Sequence, residues 1–390
     1  MKVRLGDIAV LINGDRGKNY PSQADIMEDG DIPFVNAGHL TGREVSFEDM
    51  NYISKEKYDS LNAGKFCKGD ILYCLRGSLG KKALVEDEIV GAIASSLVII
   101  RTNEQNVDRN YLMFALDSPS IKEQLMKANN GSSQPNLSAA SVKQYEIDLP
   151  DLHNQINIVE RLIKVRNVID IRKQELEKLD ELIKARFVEL FGTLDNPVQE
   201  FKKNTLKELC NKITDGKHGG CTQEEGTERY FVGAREIYDD EVHYDTAPEI
   251  NVTEFEKDYK RCNIEIGDFL IVNTGATIGK SAIATDERTE HTLLQKSVAL
   301  LKVKRELLNS VFLKWCYRVN TKMYMVASAS AQPNLLLSKI NATEIYVPDI
   351  ELQNQFAEFV CQVDKSKFKK KLCYNNLEKK TPLDIFLRND

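Results

Sequence analysis

The sequence predicts a mixed α/β chain of the α+β class. It is built as two copies of one unit, joined by two long helices that pair as an antiparallel coiled coil about a pseudo-two-fold axis. Three observations lead there. First, Gln134-Pro-Asn-Leu137 recurs as Gln332-Pro-Asn-Leu335, an offset of 332 − 134 = 198 in a chain of 390 residues. Second, the same offset separates Gly77 from Gly275, Pro150 from Pro348 and Gln155 from Gln353. Third, each copy closes on a continuous helical pattern with an apolar seam. Internal duplication constrains an architecture more than any single motif does.

The bulk composition narrows the class. Hydrophobic content of 42% and charged content of 29% suit a soluble globular chain with two or three cores. No apolar run approaches the roughly 18 residues of a membrane span. Met1-Lys-Val-Arg-Leu-Gly-Asp7 lacks the apolar core of a signal peptide. A cytoplasmic protein with no membrane partner is expected. The eight cysteines form no Cys-x-x-Cys pair and read as reduced thiols. The five histidines, at 39, 153, 218, 243 and 291, show no metal spacing, so no metal site is expected. The net charge of −6 argues mildly against nucleic acid as a partner, unless Lys and Arg gather on one face or a basic subunit supplies the attraction.

In chain order, residues 1–150 form the first mixed domain. Short apolar runs such as Asp70-Ile-Leu-Tyr-Cys-Leu75 read as buried strands, and Arg109-Asn-Tyr-Leu-Met-Phe-Ala-Leu116 reads as an amphipathic helix. Residues 151–196 hold the first long helix, opened by Leu149-Pro-Asp-Leu-His-Asn-Gln155. Its seam falls at Ile158, Leu162, Val165, Ile169, Leu176, Leu179, Ile183 and Leu190, with Arg172 and Arg186 at the two remaining seam positions. From Asn154 to Phe191 this is about 38 residues, or about 57 Å, and Gly192 and Pro197 stop it. Residues 197–349 repeat the mixed domain, with Asp268-Phe-Leu-Ile-Val272 as its strand and Leu308–Tyr317 as its helix.

Residues 350–390 repeat the long helix, opened by Val347-Pro-Asp-Ile-Glu-Leu-Gln353. Phe356, Val360 and Val363 match Ile158, Leu162 and Val165. The seam then degrades, because Lys367 stands where Ile169 stood and Lys370 where Arg172 stood. Leu377 partly restores it before Pro382 breaks the helix. A helix of about 28 residues, frayed beyond Lys369, is expected; Lys365-Ser-Lys-Phe-Lys-Lys-Lys371, an ordinary solvated face in another setting, coincides here with the loss of the pattern. Neither seam is satisfied alone, so the two helices should meet side by side and antiparallel, with one domain near each end.

No catalytic residue emerges. Gly275-Ala-Thr-Ile-Gly-Lys-Ser281 looks like a phosphate-binding loop but has three residues between its glycines where four are needed, and Gly77-Ser-Leu-Gly-Lys81 is shorter still. Two unequal copies of such a loop suggest a shared hairpin or loop with another task. Pro348-Asp-Ile-Glu351 faintly suggests a nuclease metal site, but the needed Lys is missing and Asp at a helix start serves as a cap. The polar residues that repeat are of another kind. Arg76, Ser78 and Lys81 in one copy, and Asn273, Thr274, Thr277 and Lys280 in the other, flank glycines. Gln134 with Asn136, and Gln332 with Asn334, flank the repeated proline. Such side chains bond base edges and phosphates. Turn chemistry alone is the plain alternative for each.

The order of these motifs closely resembles the DNA-specificity (S) subunit of type I restriction–modification systems. The motifs are a Leu-Gly-Asp-Ile start, Lys-Gly-Asp-Ile-Leu before Gly-Ser-Leu-Gly-Lys, Gln-Pro-Asn-Leu-Ser, and Leu-Pro-Asp-Leu-x-x-Gln into a long helix, followed by a second round. The resemblance covers the whole chain. It implies two target-recognition domains, each reading half of a bipartite double-stranded DNA site, with the helices as a ruler between them. It implies two methyltransferase (M) subunits docked on the helices, with restriction (R) subunits added. S-adenosylmethionine, Mg and ATP would then bind the partner subunits, and this chain would hold no cofactor. The chain departs from the family after Lys369, where a Leu-rich finish is missing. Outside the anchors the domains differ. Arg16-Gly-Lys18 faces Lys217-His218-Gly219, and Asn36-Ala-Gly-His39 faces Gly233-Ala-Arg-Glu236, which implies different half-sites. The alternatives are a coiled-coil scaffold without DNA contact and the specificity subunit of a related fused restriction system.

Overall fold

The computed structural model describes residues 1–103, 105–129, 135–324 and 334–379, with the backbone alone from 372 onward. The chain divides into two compact units, Met1–Lys173 with Leu372–Asp390, and Gln174–Lys371. Among the described residues no helix is long and apolar enough to cross a membrane.

The first unit is built on a four-stranded antiparallel sheet in the order Ala9–Asn13, Leu97–Thr102, Ile71–Cys74, Lys82–Leu84. Its central strands are continuously apolar over Ile71–Cys74 and from Leu97 to Ile100, because both faces are covered there. Ile71, Tyr73, Val98 and Ile100 point into one core, and Leu72, Cys74, Leu97 and Ile99 into another. Successive side chains of a strand alternate between faces, so a sheet sandwiched between two cores needs a continuous apolar run. A second sheet sets Ile32–Val35 parallel to Gly91–Ile93, with Tyr52–Ile53 and Lys65–Phe66 on its edges. Lys2–Arg4 pairs with Glu146–Asp148 and ties the start of the domain to its end.

The second unit repeats this topology. Its sheet runs Cys210–Asp215, Val298–Val303, Phe269–Val272, Ser281–Ile283. Phe269, Ile271, Ala299 and Leu301 face one core, and Leu270, Val272, Val298 and Leu300 the other. Tyr230–Val232 runs parallel to Thr292–Leu294, and Lys202–Thr205 pairs with Glu344–Val347. The hairpin Ile237–Tyr238 with Glu241–Val242 pairs within itself.

The first long helix spans Leu152–Phe191, 40 residues, and the second spans Ile350–Lys379, 30 residues. Asp151 Oδ1 accepts from Asn154 N–H at 2.9 Å and caps the first. Gly192 ends it at φ +74°, where an added Cβ would meet Asn196 O at 2.3 Å. The same amide clamp sets each helix on its own domain. Gln155 is fully buried, donates to Pro150 O (2.8 Å) and Asn106 O (3.1 Å), and accepts from Asp108 N–H (2.9 Å). Gln353 is fully buried, donates to Pro348 O (2.8 Å) and Leu307 O (3.1 Å), and accepts from Asn309 N–H (2.9 Å).

Within the second unit the two helices pack antiparallel. Phe356 meets Phe187 and Phe191 at ring separations of 5.4 and 5.7 Å, while Lys367 reaches Asp180 (2.7 Å) and Lys370 reaches Glu175 (2.6 Å). Residue numbers rise on one helix as they fall on the other. Val360 and Val363 are buried beside Phe356.

Two expectations change. The buried row at the C-terminal end of the first helix is Ile183, Phe187, Phe191, and Leu190 is only half-buried. This end packs on Phe312 of the second mixed domain as well as on Phe356, so the row follows steps of four that aim at both. The remaining seam residues Ile158, Val165, Ile169, Leu176 and Leu179 are half-buried, Leu162 is fully buried, and the side chain of Leu377 lies outside the described residues. The second change is at the lysine run. Lys367 and Lys370, where the apolar seam is lost, continue the contact as ion pairs, and the helix reaches Lys379, near the expected length and without a break after Lys369. Helix propagation needs only local bonds and no breaker, so loss of an apolar seam does not end it.

Candidate nucleic-acid interface

In each unit the repeated glycine loop is a hairpin turn. It joins Ile71–Cys74 to Lys82–Leu84 in one and Phe269–Val272 to Ser281–Ile283 in the other. Cys74 N–H donates to Lys81 O (2.8 Å) and Gly80 N–H to Cys74 O (3.1 Å). Val272 N–H donates to Lys280 O (2.8 Å) and Gly279 N–H to Val272 O (3.0 Å). A phosphate-binding loop joins a strand to a helix and uses the helix start, so this strand-to-strand turn is a different device. Gly77 and Gly275 sit at φ +80° and +101°, where a side chain is strained.

The second repeated motif docks on this loop. Leu137 N–H donates to Leu75 O (2.8 Å), and Leu335 N–H to Asn273 O (2.7 Å). Arg76 bridges to Asn136, and Thr274 to Asn334, as isolated antiparallel pairs. Two motifs about 60 residues apart in the chain (334 − 274 = 60) are thus one structure, built twice. Gln134 and Gln332 lie outside the described residues.

The sheet register places the other candidates at the same end. Asn13 pairs with Val98, Cys74 with Leu97, and Tyr73 with Lys82. The Arg16–Lys18 segment and the glycine loop therefore leave the sheet at the same end, on either side of the Leu97–Thr102 strand, and Arg16 Nη2 donates to Ser95 O at 3.4 Å. In the second unit Asp215 pairs with Ala299, Val272 with Val298, and Ile271 with Ser281. That gathers Lys217 and His218 beside the loop of Asn273–Lys280.

The side chains fall into two groups. Arg76, Ser78, Lys18 and Lys280 are exposed. Among the described residues no ion pair or hydrogen bond occupies the side chain of Lys18, Arg76 or Lys280. Other candidates are engaged internally. Lys81 is half-buried and donates to Ala37 O (3.0 Å) and Gly38 O (3.5 Å). Lys217 pairs with Asp258 (2.7 Å) and Glu254 (3.3 Å), and the bond to Asp258 holds its ammonium above the ordinary range. His218 Nε2 lies 3.2 Å from Asp215 Oδ2. Asn273 is buried beneath the loop. Thr274 Oγ1 donates to Asn334 Oδ1 at 3.3 Å. The carbonyl of Thr277 accepts from Lys280 N–H at 3.2 Å. Lys81, Lys217 and Asn273 therefore shape the surface, while Arg76 and Lys280 stand on it.

The variable turns share a backbone but not a chemistry. His39 Nδ1 accepts from Asn36 N–H at 3.1 Å, and in the other unit Glu236 Oε2 accepts from Gly233 N–H at 2.8 Å. An imidazole in one copy does the work of a carboxylate in the other. Lys296 was not singled out by sequence. It is exposed, its N–H donates to Lys217 O at 2.9 Å, and it stands where the first unit has Ser95. Its signal lay in its place just before the Val298–Val303 run.

The comparisons with known proteins agree with this geometry. The family model for the type I restriction modification DNA specificity domain matches residues 1–181 and 199–377. The MjaVIII type I restriction enzyme specificity subunit of Methanocaldococcus jannaschii is 27% identical over 189 residues, which is 46% of this chain and 42% of that protein. The EcoBI type I restriction enzyme specificity subunit of Escherichia coli is 25% identical over 216 residues, 52% of this chain and 45% of that protein. Each alignment spans under half of the relative's length. Among solved structures, the type I restriction–modification S subunit from M. genitalium superposes with a TM-score of 0.53 at 16% identity, covering 100% of this chain and 95% of that one. A chain from work on complex assembly and conformational transition of the type I system superposes with a TM-score of 0.60 at 18% identity, covering 100% and 98%. At these identities the two structures speak for the fold.

Proposed function

We propose, on the premise that this chain belongs to the family of type I restriction modification DNA specificity domains, that it is the DNA-reading subunit of such a complex. Each unit reads one half of a bipartite double-stranded site with the sheet end that carries its glycine loop and Gln-Pro-Asn-Leu segment. The observation that carries this reading is the duplicated loop-and-segment structure, matched in the backbone bonds that close the turn and dock the segment and different in the side chains it presents. A shared scaffold with different exposed groups is what two different half-sites require.

The first unit presents a guanidinium, Arg76, and the second an ammonium, Lys280. A guanidinium bonds the O6/N7 edge of guanine bidentately, whereas an ammonium acts as a point charge. The first half-site therefore holds a guanine under Arg76, and Lys280 contributes to a phosphate or to a single base acceptor. The two long helices dock methyltransferase subunits, to which restriction subunits add. S-adenosylmethionine, Mg and ATP belong to those subunits. The chain itself catalyses nothing and acts in the cytoplasm.

The test is DNA binding by the assembled methyltransferase complex. Arg76→Ala should cost about 1–3 kcal/mol and relax one base position. If Lys280 holds a phosphate, Lys280→Ala should weaken all sequences alike and lower the salt slope by about one. If neither change alters affinity, sequence preference or salt slope, this sheet end does not touch DNA.

A further inference from the structure

We infer that Gln155 and Gln353 are positioning residues that set the spacing between the two half-sites. They fix the angle at which each long helix leaves its recognition domain. This inference rests on the function proposed above.

The two side chains form the same polar joint. Each lies in the first turn of its helix, is fully buried, and spends its whole amide on three backbone groups. One N–H goes back to the proline carbonyl that leads into the helix, Pro150 or Pro348. The other N–H and the carbonyl oxygen go to the loop just before a domain helix: Asn106 and Asp108 before Arg109–Ala115, Leu307 and Asn309 before Ser310–Val319. Asp108 and Asn309 are themselves the caps of those helices, accepting from Tyr111 N–H and Val311 N–H at 2.8 Å each. The amide therefore locks the root of the long helix to the root of a domain helix.

Only a glutamine fits this joint. It presents two coplanar donors and one acceptor at the needed reach. Glutamate would turn an oxygen against two carbonyl oxygens. Asparagine falls one methylene short. Methionine fills the space and bonds nothing. Apolar packing of Val159 and Leu162, or of Phe356 and Val360, holds each helix on its core but is not directional. Hydrogen bonds are directional, so the glutamine carries the angular constraint.

The leverage is large. A helix of 40 residues is about 60 Å long at 1.5 Å per residue. A tilt of about 10° at its root moves the far end by about 10 Å, or about three base steps at 3.4 Å each. A spacing defined to one base pair thus needs the root angle held to about 3°.

The experiment uses the full chain in complex with its methyltransferase subunits in a restriction-free host. Gln155→Glu, Gln155→Met, Gln353→Glu and Gln353→Met are each compared with the parent by single-molecule sequencing of methylated DNA, with thermal unfolding of the purified complexes alongside. The expected result is that both half-site sequences persist while spacers one base pair longer and shorter become methylated. Discrimination between spacers should fall about tenfold for the two bonds lost in the Glu variants, and further for the three lost in the Met variants. Folded variants that keep the single parental spacer would overturn the inference. So would variants whose half-sites change, or a set in which every substitution simply unfolds the chain. A parental complex that methylates no bipartite site would instead remove the proposed function and leave the clamp as a purely structural joint.

Discussion

Phe187→Ala is the substitution that best separates the packing seen here from the heptad written in the sequence. A strict heptad puts Leu190 in the seam and Arg186 before it, with Phe187 outside. In the structure Phe187 is fully buried and Leu190 only half-buried. The Phe187 ring lies 5.0 Å from Phe191, 5.5 Å from Phe312 and 5.4 Å from Phe356. Truncating a buried Phe to Ala costs about 3–5 kcal/mol. Three ring neighbours, each worth about 0.5–1.5 kcal/mol beyond area, place this site at about 4–5 kcal/mol. At about 2–4 °C per kcal/mol for a unit of this size, the transition should fall by roughly 8–20 °C. Leu190→Ala should cost under about 2 kcal/mol. The assay is urea and thermal unfolding followed by the chain's one tryptophan, Trp315, which is buried in this same core, 6.5 Å from Phe356. Equal losses at 187 and 190, or a loss under about 1.5 kcal/mol at 187, would refute the packing argument.

Three further outcomes follow from the same structure. Reversing Lys367 to Glu should cost about 1 kcal/mol, and adding Asp180→Lys should restore most of it, with the coupling fading in high salt, because the pair is only half-buried; a double variant no better than its parents would argue against the polar seam. Glu254 is held down at about 2, chiefly by the Thr222 hydroxyl and then by Lys217. A depressed carboxylate stabilises the fold above its ordinary value of 4.5 and loses that contribution as pH falls toward 2. Glu254→Gln should therefore flatten the acid limb of stability between those values, and an unchanged limb would show that the carboxylate is not so held. In DNA binding, Arg76→Ala should relax one base position of one half-site only, and loss of specificity in both halves would contradict separate readers.

Much of this was legible in the sequence because duplication carries its own control. The Gly77 and Gly275 loops could be read as hairpins rather than phosphate sites because two unequal copies cannot share one phosphate geometry, and both do join antiparallel strands. The central strands were legible because a sheet between two cores carries continuous apolar runs, Ile71–Cys74 and Phe269–Val272 among them. The seam was less so. A period of 3.5 favours Leu190, whereas the helix end at Phe187 and Phe191 also answers to Phe312, a residue more than 100 positions away. The lysine run read as a loss of pattern because its partners Asp180 and Glu175 lie nearly 200 residues earlier. The internal use of Lys81 and Lys217 was hidden because their partners, Ala37 and Gly38 for one and Glu254 and Asp258 for the other, lie in other loops and helices of the same unit. Gln155 and Gln353 were visible as a repeat, but the three bonds that explain the repeat run to loops whose backbone places no constraint on residue type.

The most direct test of the central claim replaces only residues 199–348 with those of another family member and reads the methylated DNA of the assembled complex. The account predicts that one half-site changes while the other half-site and the spacing stay. A change in both halves, or methylation of one continuous palindrome, would contradict the two-reader account.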